Sequence, residues 1–190
     1  VLMIIPAYNE EESIFETVTS ILNYRKKVDF DLDYVVINDG STDKTKQILE
    51  ENHFNAVNLV MNLGIGGAVQ TGYKYALEHD YDVAVQFDGD GQHDIESLSD
   101  LLEPIRKNEA DLVIGSRFVG DVKSEFQTTF MRRFGIGVIS NLIQWTTGQR
   151  VLDTTSGYRL ADKAVIKQFA KRYPIKYPEP ETIVHILKRK

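Results

Sequence analysis

The sequence predicts an α/β fold: a mostly parallel central sheet flanked by helices. Short Val- and Ile-rich runs fall at 2–5, 34–37, 57–60, 83–87 and 111–114. Helical patterns fall between them at 11–24, 43–52, 67–79 and 95–108. Strands alternating with helices of this length form βαβ units, which pair their strands in parallel. The third observation is a polar loop after each of the first, second and fourth runs. In an open parallel sheet such loops share the edge where ligands bind.

The first run leads into Pro6-Ala7-Tyr8-Asn9-Glu10 and the second into Asn38-Asp39-Gly40-Ser41-Thr42-Asp43. The fourth leads into Asp88-Gly89-Asp90-Gly91-Gln92-His93. Carboxylates gathered on one edge repel one another, so a cation is expected among them. The candidate ligands are oxygens or imidazole, which suits Mg²⁺ or Mn²⁺ with positions left open for a diphosphate. Each loop has a plainer reading. Asn38-Asp39-Gly40 fits a turn, and one of Ser41, Thr42 and Asp43 is expected to cap the following helix. A calcium loop does not fit residues 88–99, because Gln92, His93 and Ser99 occupy positions that such a loop gives to Asp or Asn, Gly and Glu. His93 is read chiefly as a hydrogen-bonding residue and secondarily as a metal ligand.

The glycine segment Asn62-Leu63-Gly64-Ile65-Gly66-Gly67-Ala68 invites a dinucleotide reading, but Val69 stands where that fingerprint needs Gly or Ala. Close backbone approach at Gly66, with Asn62 as a polar contact to a nucleotide, competes with tight helix–strand packing through Gly66 and Gly67.

Composition bounds the alternatives. The 190 residues suit one domain, expected over 1–190, with a nucleotide-sugar-binding half at 1–115 and an acceptor-binding half at 116–190. The net charge of −6 argues against a nucleic-acid partner. With no cysteine there are no disulfides and no thiolate metal sites. No apolar run reaches the ~20 residues of a bilayer-spanning helix. The chain opens on a buried-strand pattern and stops inside a helical one, as expected of a chain trimmed from a longer protein that carries a membrane anchor.

In order, the loops above, the glycine segment, Gly115-Ser116-Arg117-Phe118 and Ser156-Gly157-Tyr158-Arg159 resemble glycosyltransferase family 2, in its dolichyl- and polyprenyl-phosphate sugar transferase branch. The resemblance covers essentially the whole chain. It implies a GT-A fold and an inverting, single-displacement transfer from a UDP- or GDP-linked sugar to a polyprenyl-phosphate or lipid-linked acceptor. It further implies that Pro6, Tyr8 and Glu10 line the base and ribose pocket and that Asp39 bonds the nucleoside. Asp88 would face ribose or metal, Asp90 would ligate the metal, and Gln92 would add a metal contact. The chain departs from the pattern at Ile65, where many relatives carry Lys, and at Asn38, where Asp is commoner.

In the second half, Arg117, Arg132, Arg133 and Arg159 are candidates for holding donor diphosphate and acceptor phosphate, with surface salt bridging as the alternative. An anionic lipid phosphate needs positioning, whereas a saccharide hydroxyl needs a base. Asp153 and Glu179 or Glu181 are the base candidates, beside plainer roles of Asp153 as a turn residue and Glu181 as a first-turn helix acid. Apolar residues spaced along 129–147 predict a long amphipathic helix, read first as a core face and second as a peripheral membrane contact. Residues 150–160 read as irregular or strand, and the prolines at 174, 178 and 180 as a break before a last helix. The expected location is cytoplasmic, peripheral on the inner face of the plasma membrane. The alternatives are transfer to a growing saccharide and a nucleotide-sugar-binding module without turnover.

Overall fold

The computed structural model describes residues 1–88, 95–115, 157–174 and 182. Within them the strands are β1 (Leu2–Ala7), β2 (Asp33–Asn38), β3 (Ala56–Asn58), β4 (Val83–Gln86), β5 (Leu112–Ile114) and β6 (Arg159–Asp162). The helices are α1 (Ile14–Arg25), α2 (Thr45–Glu51), α3 (Gly64–Glu78), α4 (Leu98–Arg106, after a 3-10 turn at Ile95–Ser97) and α5 (Lys163–Lys171). The sheet order is β3-β2-β1-β4-β6-β5. β1 to β4 pair in parallel, and β6 lies antiparallel between β4 and β5. The sheet is therefore mostly parallel, as expected, with β6, which overlaps just the end of the 150–160 segment, as the reversed strand.

Burial on both faces explains the nearly continuous apolar runs of β1 and β2. Met3, Ile5 and Val36 face α1 and α4, with Ile14, Val18, Ile21, Leu98 and Leu102. Leu2, Ile4, Val35 and Ile37 face α3 and α5, with Val69, Tyr73, Val165, Ile166 and Phe169. The second layer packs closely at Gly72 of α3, where an added Cβ would overlap Ile4 Cγ2 and stand 3.0 Å from its Cγ1. A close helix–strand approach is thus at Gly72, whereas the atoms nearest a Cβ on Gly67 would be those of Leu63 in its own segment. Gly72→Ala is expected to lose about 1–3 kcal/mol by overpacking, despite alanine's better helix propensity. A denaturant titration with an unchanged m-value would report it.

Boundaries differ from expectation for local reasons. β3 stops at Asn58 after Leu59 N donates to Asn38 O at 2.9 Å, and Val60 is left exposed. α3 starts at Gly64, not 67, because the Asn62 side-chain oxygen accepts the Gly64 N–H at 2.9 Å. The helix α5, not anticipated, is capped by Asp162, whose Oδ1 accepts from Val165 N at 2.8 Å. The helix expected over 129–147 and the last helix lie outside the described residues, apart from Thr182.

At the opposite edge of the sheet, the Tyr81 hydroxyl donates to Asp33 Oδ2 at 3.0 Å. Burial, then the hydrogen bond to Asp33 and its negative charge, push the Tyr81 phenol up to about 12. The folded state therefore favours the neutral phenol. Its contribution is complete below pH ~10, the unfolded value, and is lost as pH rises through about 12. Between pH 9 and pH 11.5, Tyr81→Phe is expected to lose less thermal stability than the parent chain. An equal loss in both would contradict this linkage.

Candidate donor site at the open edge of the sheet

The sheet turns from leftward to rightward winding between β1 and β4, the switch point at which such folds form a crevice. Pro6 shapes it. The β1–β4 ladder runs only from Leu2↔Ala84 to Ile4↔Gln86, ending with Phe87 N on Ile4 O at 2.9 Å. Even-numbered residues of β1 bond toward β4, so the missing N–H of Pro6 falls just past the end of that ladder. The strands separate there without orphaning a donor. Ala7, Tyr8 and Asn9 stand on one side of the opening and Phe87 and Asp88 on the other.

The first two loops are tied together by polar side chains. Asn9 adopts φ 56°. Its N–H donates to Ser41 Oγ at 3.0 Å, and its Oδ1 accepts the Thr42 N–H at 2.8 Å. Glu10 N donates to Thr45 Oγ1 at 2.8 Å, and Glu11 N to Asp43 Oδ2 at 3.1 Å. Lys44 N donates back to Glu11 Oε2 at 2.9 Å. Asp43 Oδ1 accepts both the N–H and the hydroxyl of Thr45, at 2.9 and 2.6 Å, while the N-cap of α2 is Lys44 and not one of the three residues expected. Burial acts to raise the Asp43 carboxyl, but the hydrogen bonds from Thr45 and Glu11 outweigh it and hold it below the usual value.

The third loop closes over the second at Gly40, which has φ +68°. A Cβ there would stand 2.8 Å from both Asn62 N and Met61 C, so only glycine fits. Asp39 is 3% exposed, and its Oδ1 accepts the Leu63 N–H at 2.7 Å. Its Oδ2 takes no hydrogen bond among the described residues. Asn38 donates from Nδ2 to Asn58 Oδ1 at 2.7 Å and accepts Ser41 N at 3.2 Å. A carboxylate at 38 could not make the first of these bonds, which explains the departure noted in the sequence.

Pro6 is thus buried at the crevice, Tyr8 is 48% exposed at its lip, and Asp39 and Asp88 follow β2 and β4, the two strands that flank β1. The Glu10 carboxylate accepts from Ser13 Oγ at 2.6 Å, which engages one of its oxygens in the turn before α1. Asn62 is exposed, its side-chain oxygen accepting the Gly64 N–H ahead of α3, and Gly66 is buried within that helix.

Arg159 corrects an expectation. It was expected to hold a phosphate, yet it is 0% exposed, leaving no surface for an anion. Its Nη1 donates to Thr182 Oγ1 at 2.6 Å. It pairs with Gln86 across β4 and β6, beside Tyr173, whose hydroxyl donates to Gln86 Oε1 at 3.1 Å. Burial pushes the Tyr73 phenol well up, Tyr173 adds to this, and Arg159 opposes it.

Asp90, Gln92, His93, Arg117, Arg132, Arg133, Asp153, Glu179 and Glu181 lie outside the described residues. Among the described residues no group of three or more His, Asp and Glu is placed to hold a metal. One residue the sequence reading passed over is Gly157, which faces Asp88 across the strands. Its only sequence signal is the Ser156-Gly157-Tyr158 run.

A switch-point crevice walled by three interlocked loops, with a carboxylate just past the end of its fourth strand, defines an α/β domain of the GT-A type. The chain belongs to glycosyltransferase family 2: the family model described as Glycosyl transferase family 2 matches residues 3–172. It is 32% identical to the UDP-N-acetylglucosamine--dolichyl-phosphate N-acetylglucosaminyltransferase of Methanococcus voltae, over 91% of this chain and 75% of that one. It is 36% identical to the undecaprenyl-phosphate mannosyltransferase of Micrococcus luteus, over 84% of this chain and 65% of that one. Among solved structures, glucosyl-3-phosphoglycerate synthase from Mycobacterium tuberculosis, in complex with Mn²⁺, UDP-glucose and glycerol 3-phosphate, superposes with TM-score 0.73. That match has 20% identity and covers 99% of this chain and 65% of that one, and it bears on the fold. Against several of these relatives the chain spans under two thirds of their length, as with the 63% of the polyprenol monophosphomannose synthase of Mycolicibacterium smegmatis.

Proposed function

We propose that the chain moves a sugar from a UDP- or GDP-linked donor to a polyprenyl-phosphate acceptor, with inversion at the sugar carbon. The carrying observation is the crevice at the end of β1 and β4, where Tyr8, Asp39 and Asp88 come from separate loops to one edge. Tyr8 and Pro6 would bound the base, and the uncommitted oxygen of Asp39 would accept from the nucleoside. Glu10 and the exposed edge of Asn62 would border the same pocket, with Gly66 in the helix behind it.

The donor set suits a hard divalent cation, because its members offer oxygen ligands and the described one, Asp88, is a carboxylate. Mg²⁺ or Mn²⁺ would be held by Asp88 together with Asp90 and Gln92. When bound, it supplies positive charge against the departing diphosphate. Arg117 would take part of the same charge, and Arg132 and Arg133 would grip the acceptor phosphate. The acceptor is an anion already, so its oxygen needs alignment with the sugar carbon rather than deprotonation. In this scheme residues 1–115 serve the donor and 116–190 the acceptor, and the enzyme works peripherally at the inner face of the plasma membrane. No helix among the described residues is long and apolar enough to cross a membrane.

The names of the relatives, which act on dolichyl and undecaprenyl phosphates, support this acceptor class. A saccharide hydroxyl as acceptor would need Asp153 or Glu181 as base. The test is a transfer assay with UDP- and GDP-sugars against polyprenyl phosphate and against oligosaccharides. Product on the polyprenyl phosphate, retained in Asp153→Ala and Glu181→Ala, is expected. Product only on oligosaccharide, lost in one of those variants, would overturn the acceptor assignment. Nucleotide-sugar binding without any product would favour a binding module.

A further inference from the structure

We infer that Gly157 is a positioning residue for Asp88: the bare Cα at 157 makes the space in which the Asp88 carboxylate is held. Register places them together. β4 and β6 pair from Val83↔Asp162 to Gln86↔Arg159, and the same register carried two residues further sets Asp88 opposite Gly157. Side chains two apart share a face, so the Asp88 carboxylate lies over the Gly157 position. A Cβ built on Gly157 would overlap Asp88 Oδ2, stand 2.5 Å from Oδ1 and 2.7 Å from the carboxyl carbon.

Backbone conformation does not explain the glycine. Gly40 and Gly64 are the described glycines with positive φ, so the backbone at Gly157 is open to alanine. What excludes a side chain is the carboxylate. The platform is also fixed in place. The Tyr158 ring packs edge-on against Phe87 at 5.5 Å between centroids. Gly115 N donates to Tyr158 O at 2.8 Å, and a Cβ on Gly115 would stand 3.0 Å from Tyr158 Cδ1. Gly157 is therefore anchored through Tyr158, on its C-terminal side. Any side chain at 157 must turn the carboxylate out of the place it holds at the crevice.

This role rests on the reading of the crevice as the donor site. The test is a stability cycle of Gly157→Ala, Asp88→Ala and the double variant, followed by thermal unfolding, together with titration of each folded chain with UDP and GDP, with and without Mn²⁺. Gly157→Ala is expected to lower Tm in the parent by what turning the carboxylate aside costs, and by less in the Asp88→Ala background, where the added methyl has nothing to strike. It is also expected to weaken Mn²⁺-dependent nucleotide binding at least tenfold. If Gly157→Ala does not fold, recovery of folding in the double variant supports the inference, and a double variant that also fails overturns it. Equal losses of Tm in both backgrounds, or parental nucleotide affinity in Gly157→Ala beside lost affinity in Asp88→Ala, overturn it while leaving the donor site standing. An Asp88→Ala chain that keeps Mn²⁺-dependent nucleotide binding overturns the donor-site reading and the role of Gly157 with it.

Discussion

Asp88→Ala is expected to lower sugar transfer by roughly 10²–10³-fold, the scale on which loss of a single preorganised charge-stabilising group acts. The fold should survive, because Asp88 ends β4 beyond its last ladder pair with β1 and contributes nothing to either apolar layer. Removing it takes away one carboxylate of the proposed cation site and relieves repulsion from any neighbouring acid. The informative comparison is Asp88→Asn. The amide keeps the shape over Gly157 but lacks the charge that would attract a cation. It should therefore match Asp88→Ala in Mn²⁺-dependent transfer while matching the parent chain in Tm. An Asp88→Asn chain with parental transfer rates would mean that the charge at this position is not used.

Arg159→Ala carries the largest expected effect on stability. Arg159 heads the largest fully buried side chains, pairs with Gln86 across β4 and β6, and its charge acts on the buried Tyr73 phenol. Truncation leaves a void and removes the donor to Thr182 Oγ1. Together these are expected to cost ~3–5 kcal/mol. For a domain of this size that is a fall in Tm on the order of 10 °C. Arg159→Lys, which keeps the charge but not the planar fork, should fall between. A loss below about 1 kcal/mol in Arg159→Ala would show that the buried guanidinium is not integral to the second layer.

The alternation of Val- and Ile-rich runs with helical patterns was enough to predict the parallel half of the sheet, since both the period and the spacing are local. The antiparallel insertion of β6 was not legible. Arg-Leu-Ala-Asp is four residues long and half polar, and its place beside β4 is set by a pairing more than 70 residues away in sequence. α5 did carry its own signals, an Asp162 cap and apolar residues at 165, 166, 169 and 170, but they span just nine residues. At the site, the strand-end loops announced Tyr8, Asp39 and Asp88. The bonds that fix them did not show, because Asn9, Ser41, Asp43 and Thr45 look like ordinary turn residues until the two loops are side by side. Arg159 misled for the converse reason. An arginine in a motif reads as a surface anion ligand, and only the strand register shows that it points into the core. Gly157 was legible as part of the Ser156–Arg159 run, but its place opposite Asp88 was not, because the two meet across strands distant in sequence.

The central claim, that acids at the β1, β2 and β4 ends form one cation-assisted nucleotide pocket, is tested most directly by thermal unfolding with a panel of nucleoside diphosphates, with and without Mn²⁺. A ligand that binds only the folded chain raises Tm, by about 2.7 kcal/mol of added stability at a hundred times its Kd. The account predicts a rise selective for UDP or GDP, dependent on Mn²⁺, and lost in both Asp39→Ala and Asp88→Ala. A rise that ignores Mn²⁺ and persists in both variants, or no rise with any nucleotide, would contradict it.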